Sequence, residues 1–191
     1  MSITIKPLQP ELIDDFLNFF DNVAFTDNPD WDKCYCHFYH FNGTSKKFQK
    51  TTAEENRNAS KQLILSGYMY GYLAYKDDEK PIGWCNANVK ENFSKSMLGK
   101  KIIKSSGGKI ASIVCFIIAP GNRRQGIARQ LLKTASSDFS SKGFDLLEAY
   151  PRKGELTDAM HYHGPLSLYE SEGFSIHEEF KDYYIVRKTL K

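Results

Sequence analysis

The sequence predicts one domain of the α/β class, in which helices pack against a sheet. Two patterns indicate this fold. Segments with the period of a strand alternate along the chain with segments that have the period of a helix. The run Ile110–Ile118 is also almost continuously apolar, which is typical of a strand buried on both faces. Of 191 residues, 41% are hydrophobic and 14% aromatic, so the chain can bury a substantial core. We expect a single domain over residues 1–191.

The first half of the chain predicts a strand, two helices and a hairpin. Thr52 and Glu55 have the spacing of a capping box, which marks the start of the second helix. Pro10 is typical of the first position of a helix. The expected elements are a strand Ser2–Leu8, a helix from Pro10 to about Phe20, a helix from Thr52 to about Gly67, and hairpin strands Tyr68–Lys76 and Pro81–Val89.

The second half predicts strands that alternate with helices. A loop rich in Lys, Ser and Gly is expected over 92–108, and a long connection over 151–164. The expected elements are the strand Ile110–Ile118, a helix that ends near Ser141, a strand Phe144–Tyr150, a short helix before Gly173, and strands Phe174–Phe180 and Tyr183–Thr189.

The segment Ile117–Leu132 joins the buried strand to an amphipathic helix through a turn suited to a diphosphate. The first amides of a helix lack intrahelical partners and lie at the positive end of its dipole. Gly126 and Ala128 leave the backbone open to a close ligand. Arg123 and Arg124 add positive charge and forked donors that match phosphate oxygens. The turn therefore predicts an anion site.

These residues also carry a resemblance to a known family. Arg123, Gly126 and Ala128 match the Q/R-x-x-G-x-G/A signature of the GNAT superfamily of N-acyltransferases. The apolar-x-Pro pattern before it is present as Ile118–Pro120. Downstream, Leu168–Phe174 matches the L-Y-x-x-x-G-F pattern of such domains. The chain thus resembles a GNAT domain, most specifically over residues 114–174.

The resemblance implies a fold and a co-substrate. The fold is a mixed, mostly antiparallel twisted sheet of about seven strands with a splayed central parallel pair, flanked by about four helices. The co-substrate is acetyl-CoA, whose pantetheine arm pairs with the free backbone of Phe116, Ile117 and Ile118. The residues implied to hold its diphosphate are Arg123, Arg124, Gln125, Gly126, Ile127 and Ala128.

Two candidate catalytic residues follow from the resemblance. Tyr169 occupies the position from which the family donates a proton to the CoA sulfur; alternatively, its ring packs beneath the sheet. Glu148 lies near the end of a strand that lines the splay, where such enzymes can place a base; alternatively, it is a solvated charge. A backbone amide near Ile117 is expected to stabilise the oxyanion. Tyr162 stands where many relatives have a pantetheine-binding asparagine, so that contact is in doubt.

An aromatic block, residues 31–40, is expected over the acceptor end of the cleft. Its aromatic rings form either a wall for the amine or an ordinary core cluster, and the expected contacts are Trp31 and Tyr35. The connection before Gly164 contributes His163, which can also contact the acceptor.

The same block contains two cysteines and two histidines, Cys34, Cys36, His37 and His40. A zinc site normally has two ligand pairs that are separated along the chain, whereas these four residues lie within one short segment. We therefore expect no metal.

The resulting hypothesis is an N-acetyltransferase that transfers the acetyl group to a primary amine by direct attack in a ternary complex. The acceptor is a small-molecule or peptide amine. The alternative is a catalytically silent module that senses acyl-CoA. A net charge of +3 does not favour nucleic acid, and the chain lacks a membrane-span pattern. A cytoplasmic monomer or homodimer is expected.

Overall fold

The computed structural model describes residues 2–77, 79–99, 102, 107–154, 156–157 and 159–191. Part of the predicted loop 92–108 therefore lies outside the described residues. The described chain forms a seven-stranded sheet. Its strands are β1 Ile3–Pro7, β2 Gly71–Lys76, β3 Lys80–Val89, β4 Ile110–Ile118, β5 Leu146–Ala149, β6 Ser175–Glu179 and β7 Tyr184–Thr189.

The strand order is β1-β2-β3-β4-β5-β7-β6. Neighbouring strands run antiparallel except for β4 and β5, which are parallel at the centre of the sheet. A parallel pair needs a crossover connection, and a long helix between β4 and β5 supplies it. The predicted mixed sheet with a central parallel pair is confirmed.

Helices flank this sheet. Among the described residues, four α-helices are at least six residues long, and the expected number of helices was about four. The helices are α1 Ile13–Asn22, α2 Ser45–Phe48, α3 Ala53–Leu65, α4 Lys95–Leu98, α5 Ile127–Ser141 and α6 Leu166–Ser171. Short 3-10 helices cover Pro10–Leu12, Pro29–Cys34, Phe38–His40, Lys90–Asn92, Pro120–Asn122 and Ala159–His163.

Local sequence signals explain where α3 and α5 form. The hydroxyl of Thr52 accepts a hydrogen bond from the Glu55 amide at 3.1 Å, and the Glu55 carboxylate accepts from the Thr52 amide at 2.8 Å. The predicted capping box is therefore present. Helix α5 has one apolar face that packs on the sheet. The fully or almost fully buried residues of that face are Ile127, Leu131, Leu132, Ala135 and Phe139.

Strands β2 and β5 begin later than predicted because backbone groups before them bond to a helix instead. The amides of Tyr68 and Met69 both donate to the carbonyl of Leu63 at the end of α3, so β2 begins only at Gly71. Likewise, the amide of Phe144 donates to the carbonyl of Phe139 in α5, and β5 begins at Leu146. In the part of the chain that the structure describes, every helix is too short or too polar to cross a bilayer.

Candidate active site

Strands β4 and β5 part in the middle of the sheet. Their parallel register ends at the pair Ile113 and Ala149, although β4 continues for five more residues to Ile118. Over that stretch β4 pairs with β3, where Phe116 lies opposite Cys85. The other edge of β4 borders a cavity of about 1050 Å³, large enough for an extended ligand.

Four segments surround this cavity. They are the unpaired part of β4, the turn that leads into α5, the loop between α1 and α2, and the connection between β5 and α6. The lining includes Phe25, Asp30, Trp31, Lys33, Cys34, Cys36, Phe38, Tyr39, Cys115, Phe116, Ile117, Ile118, Arg123, Arg124, Gly126, Ile127, Ala128, Arg129, His161, Tyr162, Gly164, Pro165 and Leu168. The wall is therefore mostly apolar, with arginines from the turn and α5 and aromatic rings from the other segments.

The start of α5 has the geometry of an anion site. Gly126 occupies the N-cap position at φ 79°, in the left-handed region, and no side chain caps the helix. A Cβ at Gly126 would meet nothing within 4 Å, so the backbone there is open. Because the first amides of a helix have no intrahelical partner, those of Ile127 and Ala128 are available to an anion in the cavity. The residues present thus fit a diphosphate.

Most of the predicted cofactor residues border the cavity: Phe116, Ile117, Ile118, Arg123, Arg124, Gly126, Ile127 and Ala128 all do so. Gln125 is absent from the described lining, and its side-chain amide donates to the carbonyl of Gly121 at 3.2 Å. Only the backbone of Gln125 is therefore placed to take part in the turn. The roles of all nine residues stay predictions.

Arg123 has a further, structural task. Its guanidinium forms a two-pronged ion pair with Asp27, at 2.5 and 3.1 Å, and its Nε donates to the carbonyl of Ile118 at 3.2 Å. Through these bonds Arg123 ties the loop after α1 to the end of β4. The signature arginine thus holds the rim of the cavity together.

The structure places Tyr169 behind the cavity wall. Its ring is fully buried, and its hydroxyl donates to the carbonyl of His163 at 2.5 Å. Burial raises the pKa of Tyr169 well above its ordinary value. Gly164, which borders the cavity, packs against this ring: a Cβ there would lie 3.1 Å from it. The proton-donor role of Tyr169 stays a prediction, and this geometry favours an anchoring role for its hydroxyl.

Glu148 lies in the paired part of β5, opposite Ser112, and outside the described cavity lining. Its carboxylate is fully buried and bonds Lys90 and Arg187, each at 2.8 Å, and the hydroxyl of Tyr150 at 2.8 Å. Burial acts to raise the pKa of Glu148, but these donors, Lys90 foremost, hold it below its ordinary value. A carboxylate with these partners is a weak proton acceptor. The structure therefore places Glu148 outside the described cavity lining. Because the side chain is fully buried, Glu148 is not a solvated charge either.

The three predicted acceptor contacts are placed differently. Trp31 borders the cavity and meets Tyr162 edge to face, with ring centroids 5.2 Å apart. Tyr35 is buried, and its hydroxyl donates to Asp21 at 2.6 Å, away from the described lining. His163 is buried behind Tyr39, whose hydroxyl lies 3.1 Å from its Nε2. Of the three, the structure brings only Trp31 to the cavity surface.

The sequence did not predict the polar contact between the side chains of Tyr39 and His163. Tyr39 borders the cavity, whereas His163 lies behind it. The sequence marks Tyr39 only as one ring of an aromatic block, and 124 residues separate the two side chains. No local pattern connects positions so far apart. Among the described residues, no group of three His, Cys, Asp or Glu side chains could hold a metal ion.

Comparison with known proteins identifies the family. A sequence model of the acetyltransferase (GNAT) family matches residues 27–164. The chain therefore belongs to this family, whose members use acetyl-CoA as the acyl donor. Among curated proteins, none matches the sequence significantly.

Solved structures with the same fold cover nearly the whole chain. PaiA N-acetyltransferase from Thermoplasma acidophilum, in complex with coenzyme A, is 18% identical with a TM-score of 0.57, and the match covers 99% of both chains. An N-acetyltransferase from Staphylococcus aureus Mu50 is 13% identical with a TM-score of 0.59, and a GNAT acetyltransferase from Streptococcus pneumoniae is 16% identical with a TM-score of 0.57. Both matches cover 100% of each chain. At such identities the likeness shows the fold.

Replacing the buried carboxylate of Glu148 tests its structural role. The change Glu148→Gln leaves Lys90 and Arg187 buried without their counter-charge, so we expect it to lower the free energy of unfolding by about 3–5 kcal/mol. Urea unfolding measures this. The matched control is Glu178→Gln on the exposed strand β6, with an expected loss within about 0.5 kcal/mol. Equal losses for both variants would contradict the assignment.

A second prediction concerns acid stability. Burial, helped by the charge of Arg152, lowers the pKa of His163 to about 3. The folded state keeps this imidazole neutral, whereas the unfolded chain protonates it below about pH 6.5. His163 should therefore cost stability as pH falls from 6.5, by about 1.4 kcal/mol per pH unit.

Urea unfolding of the wild type and of His163→Asn between pH 7 and pH 5 measures this slope. In the variant, the free energy of unfolding should depend less on pH, by the contribution of one histidine, about 1.4 kcal/mol per pH unit. The matched control His177→Asn, on exposed β6, should keep the wild-type slope. If His163→Asn also kept it, the imidazole would not be buried and neutral.

Proposed function

We propose that this protein transfers an acetyl group from acetyl-CoA to a primary amine. One observation carries the proposal: the uncapped start of α5 and the unpaired edge of β4 open into the same cavity. A diphosphate needs the first feature, and an extended amide-containing arm needs the second. Membership of the acetyltransferase family supports the same donor.

The donor lies along β4 with its diphosphate at the start of α5. Backbone amides from Gly126 to Ala128 bind the phosphate oxygens, and the positive end of the helix dipole stabilises them. Arg124 adds positive charge at the cavity wall. The pantetheine amides pair with backbone groups of the unpaired part of β4, near Phe116 and Ile118, like an added strand. This arrangement directs the thioester towards Cys115, where β4 and β5 part.

Acetyl transfer then proceeds by direct attack of a neutral amine on the thioester carbon. The carbonyl oxygen gains negative charge in the tetrahedral transition state, and a backbone amide near Ile117 stabilises it. The departing sulfur needs a hydrogen-bond donor. Glu148 is engaged with Lys90 and Arg187, so the amine proton passes to water.

Tyr39 is the phenol placed to donate towards the sulfur. It borders the cavity, and its hydroxyl lies 3.1 Å from Nε2 of the neutral His163 ring and also interacts with Tyr162. In the His163 tautomer that carries its proton on Nε2, the ring donates to the Tyr39 oxygen, so the phenol keeps its own proton to donate. Burial, followed by neighbouring Tyr162, raises the pKa of Tyr39 well above its ordinary value, so the hydroxyl stays protonated. Tyr169, by comparison, already spends its proton on the His163 carbonyl.

The acceptor enters where the loop between α1 and α2 meets the connection before α6. There Trp31 and Tyr162 form an aromatic corner, and the carboxylate of Asp30 borders the same space. Aromatic faces and a carboxylate both attract an ammonium group before it loses its proton. This supports a small-molecule or peptide amine as acceptor.

Turnover with a panel of primary amines, read as release of free CoA thiol, tests the proposal. The matched negative control is Ala128→Glu, which keeps a good helix residue but sets a carboxylate against the diphosphate. We expect the variant to bind CoA about 10- to 100-fold more weakly by calorimetry, and to lose turnover accordingly. The same change on the outer face of α5, Ser137→Glu, should leave CoA binding unchanged.

Unchanged CoA affinity in Ala128→Glu would refute the placement of the diphosphate. Tight CoA binding by the wild type without thiol release for any amine would instead support a sensor of acyl-CoA.

Two phenol variants test the proton donor. Tyr39→Phe removes only the hydroxyl at the cavity and should lower kcat by about 100-fold, with little change in the KM for acetyl-CoA. Tyr169→Phe removes a hydroxyl that anchors a buried turn, so it should lower thermal stability more than kcat. Steady-state kinetics and thermal unfolding of both variants give the answer. A large loss of kcat in folded Tyr169→Phe, with normal turnover of Tyr39→Phe, would reverse the assignment.

A further inference from the structure

Two thiols from distant parts of the chain meet in the cavity wall. Cys36 follows the 3-10 helix Pro29–Cys34, and Cys115 lies in the unpaired part of β4. Both border the cavity, and their residues are only 2% and 7% exposed. Both thiols are free. The two thiols are therefore shielded from bulk solvent, and an oxidant small enough to enter the cavity can approach them.

Hydrogen-bond donors converge on the sulfur of Cys36. The side-chain amide of Asn86 donates to it at 3.3 Å, and Asn86 is fully buried. Asn86 lies directly opposite Cys115 in the β3–β4 register, which sets both side chains against the same sulfur. The thiol of Cys115 also lies close enough to Cys36 to lower its pKa. Several donors on one sulfur stabilise its thiolate form.

The two thiols consequently differ in acidity. Burial acts to raise the pKa of Cys36, but the neighbouring donor groups of Cys115, Trp84 and Asn86 bring it below its ordinary value. The bond to Cys36, followed by burial, raises the pKa of Cys115 well above its ordinary value. One thiol is therefore prepared to act as a nucleophile, and its neighbour keeps its proton until that reaction has occurred.

The backbone also holds Cys36 in an unusual conformation. Tyr35 and Cys36 have φ values of 44° and 52°, in the left-handed region that residues other than glycine seldom adopt. Tyr35 is fixed there because its hydroxyl bonds Asp21 and its carbonyl accepts from Ser60 at 2.9 Å. Such strain persists only where surrounding contacts enforce it. Here it directs Cys36 towards β3 and β4.

We propose that Cys36 and Cys115 form a peroxide-reactive dithiol site that closes to a disulfide. In the first step the sulfur of Cys36 attacks one oxygen of hydrogen peroxide, the O–O bond breaks, and the released hydroxide takes up a proton to leave as water. In the second step the sulfur of Cys115 attacks the resulting sulfenic acid, and its proton leaves with the hydroxyl as a second water. Overall, two thiols are oxidised to one disulfide and one peroxide is reduced to two waters.

Because both thiols border the cavity, oxidation by peroxide would change the cavity in which the proposed reaction takes place. The disulfide would join the loop between α1 and α2 to the unpaired part of β4, at the point where the two strands part. Cys34 also borders the cavity, but burial raises the pKa of its thiol to about 12. Cys34 therefore serves as a matched control thiol in the same wall.

The experiment treats the reduced full-length protein with one equivalent of hydrogen peroxide, followed by alkylation and peptide mass mapping. We expect loss of two thiols per chain, one disulfide that joins the peptides of Cys36 and Cys115, and full recovery with a reductant. In Cys115→Ser the sulfenic acid of Cys36 should persist and be trapped by dimedone. Cys34→Ser should behave as the wild type.

Cys36→Ser should lose thiols at least about tenfold more slowly than the wild type. The wild-type peptide map does not depend on the folding of any variant. A map in which peroxide spares both thiols, or joins Cys34 to Cys36, would overturn the proposal. Dimedone labelling of Cys115 in place of Cys36 would overturn the assigned order of the two steps.

Discussion

The parting of β4 from β5 after Ile113 is the constraint on which the rest of the site depends. A parallel pair in the centre of a sheet normally satisfies its backbone along its whole length, and here β4 continues for five residues beyond its last partner in β5. Backbone groups in a protein require partners, so this edge provides them to a ligand. The same strand leads directly into the turn before α5, which sets an extended binding edge next to an anion site.

Ion pairs stabilise the protein beside both the paired and the unpaired part of β4. Beside the paired half, Glu148 of β5 binds Lys90, which follows β3, and Arg187 of β7. These ion pairs stabilise the sheet where β4 and β5 are still paired. Beside the open half, Arg123 binds Asp27 and the carbonyl of Ile118, which keeps the rim in place. The proposed anion site relies mainly on backbone amides, because the helix already fixes their positions and orientation.

The part of the cavity wall around Cys115 is built from segments far apart in the chain. The loop after α1 contributes Tyr39 and Cys36, and strand β4 contributes Cys115. His163, from the connection before α6, lies behind Tyr39. Burial keeps the imidazole neutral and the phenol protonated, whereas convergent donors favour the thiolate of Cys36. One small region thus holds a neutral hydrogen-bond pair and a sulfur whose pKa is lowered, and these differ because their neighbours differ.

The sequence alone determined the order of the main elements and the turn at Gly126, because periodicity, the Thr52–Glu55 capping box and the motif are all local signals. The central parallel pair was implied by the family resemblance that the motif carries. The sequence also marked most residues that border the anion site, since these are consecutive in the chain. The tertiary structure alone decided that Glu148 and Tyr35 are held away from the cavity, that Tyr169 lies behind its wall, and that Tyr39 meets His163. The physical reason is that the hydrogen-bond partners of these side chains lie outside the local repeat of a strand or helix: 6 positions away for Tyr169, 14 for Tyr35, 39 for Glu148 and 124 for Tyr39.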